Sequence, residues 1–308
     1  MADNFPVPIL FLIFNRPESA RTVFDEIKKQ KPKYLFIAAD GPRNIPGEKE
    51  KCFAAREIVN QVDWDCELKT LFREENLGCG KAVSSAITWF FENVTEGIVL
   101  EDDCLPDPSF FRYCQELLKQ YRDNDKIAVI NGSNYLFGKF NVKDSYYFSR
   151  YPHIWGWATW RRTWEKYDFN IKQWPAVRDN GQLQKIFENI TSRYYWTQIF
   201  NDVFAGKINT WDYQLAFQCF INNWYSITPA VNLISNVGFG GTEATHTKSK
   251  GGKFSEMKKG SLDFPLRHPE TVERFIMADD YIQRNNFCWW KMFIKKSLPP
   301  PLIKLIRR

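Results

Sequence analysis

The first hundred residues alternate short apolar runs with stretches of helical periodicity. Apolar runs predict buried strands at residues 9–14, 34–39, 68–73 and 97–100. The stretches between them predict helices, the first opened by Pro17 and the others at residues 48–62 and 78–93. Alternation of this kind predicts an α/β fold with a mostly parallel sheet and helices on both faces.

After residue 103 the pattern becomes less regular. It predicts helices at residues 108–121, 182–205 and 211–223, and extended chain at 127–131, 146–150 and 225–233. Trp157, Trp160 and Trp164 follow a helical spacing that is typical of core residues. Residues 236–260 are rich in Gly, Lys and Thr and predict a loop. No shift in composition marks a domain boundary before about residue 280, so we expect one domain over residues 1–280.

Charge is concentrated at the end of the chain. The chain has 42 basic and 36 acidic residues, and residues 287–308 hold six basic residues and no acidic one. The remainder is therefore balanced, whereas a nucleic-acid-binding body usually shows a broad basic face. We expect no nucleic-acid partner. Residues 281–308 combine Trp and Lys, the mixture found at lipid headgroups, which favours a basic amphipathic tail on an anionic membrane surface over a docked terminal helix.

The seven cysteines and the N-terminus limit where the protein works. The cysteine count is odd and no CxxC pair occurs, so a zinc site or a disulfide framework is not expected. The apolar run near the N-terminus is too short for a signal sequence or a membrane span. We therefore expect a cytoplasmic protein, peripheral at the inner face of the cell membrane.

Polar side chains follow three of the predicted strands. Asn15 and Arg16 follow the first, Asp40 and Arg43 the second, and residues 101–103 the fourth. Parallel sheets bind ligands beyond the carboxyl ends of their strands. We therefore expect these clusters to form one site.

Three consecutive acids, Glu101, Asp102 and Asp103, end the fourth strand. Like charges held together raise one another's pKa, and a divalent cation removes that cost. Carboxylates suit Mg²⁺ or Mn²⁺, which bind through one or two carboxylates plus substrate phosphates. A solvated acidic turn is the alternative reading.

Two nucleotide-binding motifs are excluded. The segment 78–81 ends in Gly-Lys, as a P-loop does. The P-loop pattern needs Gly five residues before that Gly and Ser or Thr after the Lys, but the chain has Glu75 and Ala82 there. No GxGxxG follows the first strand, so a dinucleotide fingerprint is missing too.

The segment VLEDDCLPDPSFFRYCQELL resembles the metal-binding segment of GT-A glycosyltransferases. It is most similar to the N-acetylglucosaminyltransferases that initiate complex N-glycans and to their bacterial relatives, and the resemblance extends from Val7 to about His246. It implies a GT-A, Rossmann-like fold that binds a nucleotide-sugar through Mn²⁺ or Mg²⁺. The roles it implies on the donor side are metal binding by Asp103 and contacts to the donor by Arg16, Asp40, Lys81, Glu101 and Asp102.

The resemblance also implies an acceptor side. In the family a Trp-Asp or Asp-Asp pair lies after a Gly-Trp segment, which implies Asp212 as the base and Trp211 beside it. The Gly-Trp segment here contains Trp155, Gly156 and Trp157, and the aromatic face of Trp155 suits a pyranose. One acid at this point agrees with inversion. From the residues alone, Asp212 is also a candidate for a helix N-terminal charge.

The glycine-rich segment before His246 resembles the late loop that closes over the donor in many GT-A enzymes. By that resemblance His246 joins Asp103 on the metal, and a solvent-exposed histidine is the alternative. The resemblance divides the domain into a nucleotide-sugar-binding half, residues 1–131, and an acceptor-side half, residues 132–280.

These features predict an inverting, metal-dependent glycosyltransferase that moves a sugar from a UDP-sugar to a hydroxyl of a glycan or lipid-linked glycan. Two other functions stay open. A sugar-nucleotide nucleotidyltransferase shares the need for nucleotide and metal, but normally has a Gly-rich loop with Arg after the first strand. A membrane-attached carbohydrate-binding protein without turnover would bind glycans without metal.

Overall fold

The computed structural model describes residues 4–238, 252–255 and 257–287 and contains an eight-stranded mixed sheet. In chain order the strands are β1 Ile9–Ile13, β2 Tyr34–Ala39, β3 Glu67–Phe72, β4 Glu96–Glu101, β5 Cys104–Pro106, β6 Ile127–Asn131, β7 Tyr146–Ser149, β8 Trp157–Trp160, β9 Tyr225–Pro229 and β10 Ile234–Asn236. The large sheet has the order β3-β2-β1-β4-β8-β6-β9-β7, and β5 pairs with β10 in a separate ribbon.

Helices connect and cover the strands. They are α1 Pro17–Gln30, α2 Glu48–Arg56, α3 Gly78–Asn93, α4 Pro108–Gln120, α5 Arg161–Trp164, α6 Trp174–Asp179, α7 Gln182–Ile186, α8 Ile190–Phe204, α9 Asp212–Ile221 and α10 Ile276–Asn286. A 3₁₀ helix, Glu57–Gln61, continues α2. No helix in the described part of the chain is long and apolar enough to cross a bilayer.

Most strands of the large sheet run parallel. Strand β1 is parallel to β2 and β4, β2 to β3, and β6 to β9. Strand β8 is antiparallel to both β4 and β6, and the edge strand β7 is antiparallel to β9. The predicted α/β class with a mostly parallel sheet is therefore confirmed, with two reversed strands that the sequence pattern did not indicate.

Strand β1 is packed against helices on both faces of the sheet. All five of its residues are buried, as expected for a central strand between helical layers. Side chains alternate across a strand, so Phe11 packs in one core with Phe24 of α1, and Leu10 packs in another with Phe90 of α3. The uninterrupted apolar run therefore follows from helices on both sides.

A third core lies under the C-terminal helix α10. There Trp196, Phe200 and Phe220 pack with Ile282. The Gln283 side chain of α10 accepts hydrogen bonds from Trp196 Nε1 at 2.9 Å and from the Tyr151 hydroxyl at 2.8 Å. Helix α10 runs across residue 280, so the first residues of the expected tail pack on the body. Residues 288–308, which carry six of the seven basic residues of the expected tail, lie outside the described residues.

Two local predictions are wrong. The helix expected over residues 182–205 is interrupted, because Asn189 accepts a hydrogen bond from the Thr191 backbone N–H at 2.8 Å and starts α8 anew. The helical spacing of Trp157 and Trp160 is also misleading, since both lie on β8. Residues three apart on a strand face opposite sides, so the two rings enter different cores. The expectation that they are core residues is confirmed.

Candidate functional site

The carboxyl ends of β1, β2 and β4 meet at one edge of the sheet. Ile13 of β1 pairs with Ala39 of β2, and Leu12 pairs with Glu101 of β4. Because these strands are parallel neighbours, the residues that follow them collect at the same edge. The predicted gathering of polar side chains beyond these strands is therefore present. Its members are Asn15, Arg16, Asp40, Arg43, Glu101, Asp102 and Asp103.

Arg16 contacts two of the three consecutive acids. Its Nη1 donates to Asp103 Oδ2 at 2.6 Å and to Asp102 Oδ1 at 3.2 Å. The backbone N–H of Phe14 donates to the other Asp102 oxygen at 3.0 Å. Pro17 begins α1 directly after Arg16, so the end of β1 and the start of α1 hold the arginine over the acids.

Burial desolvates two of the three acids, Asp102 and Glu101. Burial is the largest cause that raises the pKa of Asp102 to about 7, with Arg16 opposing the shift and Asp103 adding to it. Burial, followed by the charges of Asp103 and Asp102, holds the pKa of Glu101 well above its ordinary value. Glu101 Oε1 is buried and has no hydrogen-bond partner among the described residues. A buried orphan acceptor is a polar atom left over for a ligand.

The chain after β10 closes one side of this cluster. The Val237 backbone N–H donates to the carbonyl oxygen of Asp103 at 2.8 Å. A Cβ placed on Gly238 would lie 2.5 Å from Asp103 Oδ2 and 3.0 Å from Arg16 Nη1. A glycine is needed there because the backbone approaches both charged groups closely. The predicted loop over the donor stays a prediction, and its metal candidate His246 lies outside the described residues.

Asp40 holds the start of α3. Its carboxylate accepts from the backbone N–H of Leu77 at 3.0 Å and of Gly78 at 3.0 Å. Backbone N–H groups at the start of a helix have no partner within the helix, so Asp40 caps α3. Its negative charge also interacts favourably with the positive end of the helix dipole. Lys81 lies in the first turn of the same helix and is exposed. Contacts of Asp40 and Lys81 with a donor stay predictions.

Asp212 is the first residue of α9. It accepts a hydrogen bond from the Thr210 hydroxyl. The preceding Asn209 accepts from the Gly80 backbone N–H at 3.0 Å, which fastens this segment to the first turn of α3. The charges of Glu101 and Asp212 both add to the burial that raises the pKa of Cys79 to about 12. The two acids therefore share one region, with the Cys79 thiol near both.

The tryptophans predicted on the acceptor side differ in exposure. Trp157 and Trp211 stack at 5.7 Å between ring centroids, with exposed fractions of 0% and 2%. The two rings pack on each other, and Trp211 directly precedes Asp212 in the chain. Trp155 is half-buried, and its ring lies 5.7 Å from that of Tyr135. Gly156 has a φ of +57°, and a Cβ there would meet the Ile234 side chain at 2.5 Å. Of the two aromatic positions flanking Gly156, the partly exposed Trp155 is thus the better placed for a ligand.

Sequence reasoning missed one buried charge cluster at this edge. Glu48 of α2 is 4% exposed and accepts from Asn15 Nδ2 at 2.9 Å and from the Arg43 backbone N–H at 2.7 Å. The Arg43 guanidinium carbon lies 5.4 Å from the ring centroid of Phe14. Asn15 and Arg43 were visible as strand-end residues, but Glu48 gave only the signal of a helix start. Its pairing across the sheet edge depends on the fold.

The acids at this sheet edge offer a divalent cation some of the ligands it needs, but not a complete set. No group of three His, Cys, Asp or Glu side chains within the described ranges is arranged to hold a metal. Asp103 and the orphan oxygen of Glu101 are nevertheless hard oxygen donors. Mg²⁺ is usually held by one or two carboxylates, with water and substrate phosphates completing the shell. The residues therefore fit a cation that is shared with a phosphate ligand.

No family model and no curated protein matches the chain. Several solved structures do. The mannosyltransferase PcManGT from Pyrobaculum calidifontis, in complex with GDP-Man and Mn²⁺, is 13% identical over 53% of this chain and 47% of that one, with a TM-score of 0.39. TarS 1–349 from S. aureus is 10% identical over 74% of this chain and 59% of that one, with a TM-score of 0.42.

A third similar structure is a UDP-glucose pyrophosphorylase complexed with UDP-glucose. It is 9% identical over 72% of this chain and 90% of that one, with a TM-score of 0.35. The chain spans 47% of the mannosyltransferase and 59% of the TarS structure. At these levels of similarity the comparisons carry no assignment of function, which has to be argued from the site itself.

Proposed function

We propose that this chain is an inverting, metal-dependent glycosyltransferase that transfers a sugar from a UDP-sugar to a hydroxyl of a glycan or lipid-linked glycan. The observation that carries the proposal is the arrangement of Arg16, the acids 101–103 and Asp212 around one region at the carboxyl edge of the sheet. In the proposal, Arg16 and the three acids bind a diphosphate together with a cation, and Asp212 is a separate acid whose charge acts on Glu101.

The donor side needs groups that hold a diphosphate and sugar hydroxyls. Arg16 is a fork of N–H donors suited to phosphate oxygens. In the proposal, Asp102 and Glu101 accept hydrogen bonds from hydroxyls of the ribose and the sugar, and Asp40 and Lys81 contact the base and the phosphates. A bound Mn²⁺ or Mg²⁺ on Asp103 supplies positive charge that stabilises the leaving diphosphate.

The acceptor side needs one base. In our proposal Asp212 removes the proton of the acceptor hydroxyl as that oxygen attacks the anomeric carbon, and a single displacement inverts the configuration. The Thr210 hydroxyl and the stacked Trp157–Trp211 pair orient Asp212. Trp155 and Gly156 line the expected acceptor path, with Trp155 offering an aromatic surface to a pyranose.

Nucleotide-dependent stabilisation tests the donor site first. The midpoint of thermal unfolding is measured with UDP, GDP, CMP and TDP, each with and without Mn²⁺, for the wild type and for Asp103→Ala. Asp280→Ala, an exposed acid on α10, is the matched control. A nucleotide at about 100 times its Kd stabilises the fold by roughly 2.7 kcal/mol, which is a readable shift.

The proposal predicts a UDP shift that requires Mn²⁺, disappears in Asp103→Ala and persists in Asp280→Ala. Wild-type protein is then incubated with UDP-sugars, and release of UDP indicates transfer or slow hydrolysis. Formation of UTP from UDP-sugar and pyrophosphate would instead indicate a nucleotidyltransferase. No shift with any nucleotide would contradict the proposal and favour a glycan-binding protein without turnover.

A further inference from the structure

We propose that Arg16 is the built-in counter-ion of Asp102 and Asp103 and competes with the divalent cation for Asp103. In the nucleotide-free protein the arginine then keeps the cation weakly bound. When a diphosphate binds, Arg16 moves to its oxygens and Asp103 is released for the cation. This inference rests on the proposed function for the identity of the diphosphate, but the competition itself is a property of the free protein.

The contacts show how fully Arg16 engages the two acids. A single nitrogen, Nη1, reaches both carboxylates, at 2.6 Å from Asp103 Oδ2 and 3.2 Å from Asp102 Oδ1. The exposed fractions of the three side chains are 19%, 9% and 12% for Arg16, Asp102 and Asp103. Charge pairs shielded from water are screened little, so the positive charge of Arg16 opposes the repulsion between the acids.

The surroundings leave little room for a second cation beside Arg16. Gly238 lies against Asp103 Oδ2 and Arg16 Nη1, and the Phe14 N–H occupies the other oxygen of Asp102. A Mg²⁺ ion binds its oxygen ligands at about 2.0–2.1 Å. A cation bound to Asp103 Oδ2 would therefore share that oxygen with Nη1, and the two positive charges would repel each other.

The free protein also offers too few ligands to displace the arginine. No triad of His, Cys, Asp or Glu able to hold a metal occurs in the described ranges. A diphosphate changes both sides of this balance, because it supplies additional oxygen ligands for the cation and a bidentate partner for the guanidinium. Cation and nucleotide then bind together, with Arg16 exchanging one anionic partner for another.

A second arginine at the same sheet edge provides a matched control. Arg43 donates from Nε to Glu48 at 2.9 Å, and Glu48 is 4% exposed. This pair also joins an arginine to a buried acid, but it makes no contact with Asp102 or Asp103 in the bonds described. Arg43→Ala therefore removes an equivalent positive charge without removing the counter-ion of Asp103.

Binding of Mn²⁺ to the full chain without nucleotide tests the competition directly. Free Mn²⁺ is read from its electron paramagnetic resonance signal during titration of the wild type, Arg16→Ala, Arg16→Lys and Arg43→Ala. We expect Arg16→Ala to bind Mn²⁺ at least tenfold more tightly than the wild type, equivalent to about 1.4 kcal/mol. Arg16→Lys, which keeps the charge, and Arg43→Ala are expected to bind like the wild type.

The gained affinity must come from Asp103, so the double variant Arg16→Ala/Asp103→Asn is expected to lose it. Equal affinities of Arg16→Ala and the wild type, whether both tight or both undetectable, would overturn the inference. If Arg16→Ala does not fold, Arg16→Gln removes the charge while keeping N–H donors, and the same tenfold criterion applies. Failure of the proposed function is distinguishable, because it appears as no nucleotide shift in the wild type whatever Mn²⁺ does.

Discussion

At the scale of single residues, Asp102 links the electrostatics of the site to the stability of the fold. Burial raises its pKa to about 7, from an ordinary value of 3.8. Between those pH values only the unfolded chain ionises the group. The protonated Asp102 carboxyl therefore makes its full stabilising contribution below about pH 4. This contribution is lost as the pH rises through about 7.

This shift predicts that Asp102→Asn flattens the pH dependence of stability. The wild type loses up to about 4 kcal/mol between pH 4 and pH 7 through this carboxyl, given about 1.36 kcal/mol per unit of pKa. Denaturant unfolding at pH 4.5, 6 and 7.5 measures the effect in both proteins, with Asp280→Asn as an exposed control. A variant whose stability falls as steeply as that of the wild type would contradict the assignment.

Asp212 is the residue whose replacement separates chemistry from binding. We expect Asp212→Asn to lower kcat by about 10²–10⁴-fold, because a positioned base contributes that much, while the UDP shift persists. Loss of a charge in the first turn of α9 costs only about 0.3–1 kcal/mol of stability. Steady-state kinetics with the best donor and acceptor pair measure kcat. Retained turnover, or loss of the UDP shift together with kcat, would argue against a base on the acceptor side.

How much of this site the sequence could predict depends on the range of each interaction. Asp103 and Arg16 could be placed together because strand ends meet at one edge, and that rule needs only local pattern. The resemblance implied that Arg16 contacts the nucleotide. The hydrogen bond between Arg16 and Asp103 was not predicted and is shown by the structure. The contacts of Glu48 with Asn15 and of Gly238 with Asp103 could not be predicted, because these partners are distant in sequence.

At the scale of elements, prediction succeeded where local pattern and tertiary context agree. Helix Gly78–Asn93 and strand Ile127–Asn131 were predicted with their observed bounds. It failed at β8, where the helical spacing of Trp157 and Trp160 arises from a strand that is buried on both faces. Pairing with β4 and β6 on either side decides between them, and that information is not local. The reversed direction of β8 could not be predicted for the same reason.

The first turn of α3 makes an element-scale prediction. A Cβ on Gly80 would lie 2.8 Å from the Thr210 carbonyl oxygen and 2.7 Å from Asn209 Oδ1. Gly80→Ala therefore pushes away the segment that carries Asp212. We expect turnover to fall about 100-fold, as for a displacement of about 1 Å in a catalytic group. The free energy of unfolding should fall by only about 1–3 kcal/mol.

Gly252→Ala is the matched control for this change, because no atom of the described residues lies within 4 Å of a Cβ there. Kinetics and denaturant unfolding are measured on both variants. If Gly80→Ala turns over like Gly252→Ala, then the position of Asp212 does not depend on the contact between α3 and the 209–212 segment.

At the scale of the whole molecule, helix α10 attaches the last described residues to the body. Asp279 accepts from the Ser149 hydroxyl at 2.6 Å, and Arg274 lies 3.3 Å from its other oxygen. The Phe287 ring lies 4.9 Å from that of Trp196, so packing continues one residue beyond the helix. Phe287 therefore packs on the body, and the six basic residues of residues 288–308 follow it in the chain.

Truncation after Phe287 tests membrane association while keeping the described contacts of α10 with the body. A chain ending at Phe287 keeps the Asp279, Gln283 and Phe287 contacts but loses the six basic residues of residues 288–308. Each basic residue near an anionic surface contributes on the order of 1 kcal/mol, so we expect the full chain to float with phosphatidylserine-containing vesicles and the truncated chain to remain in solution. Phosphatidylcholine vesicles and 0.5 M salt are the controls, since about 0.5 M salt screens such attraction within a few ångströms. Equal flotation of the two chains would show that the basic tail does not bind the membrane, whereas loss of the UDP shift on truncation would show that the tail supports the donor site instead.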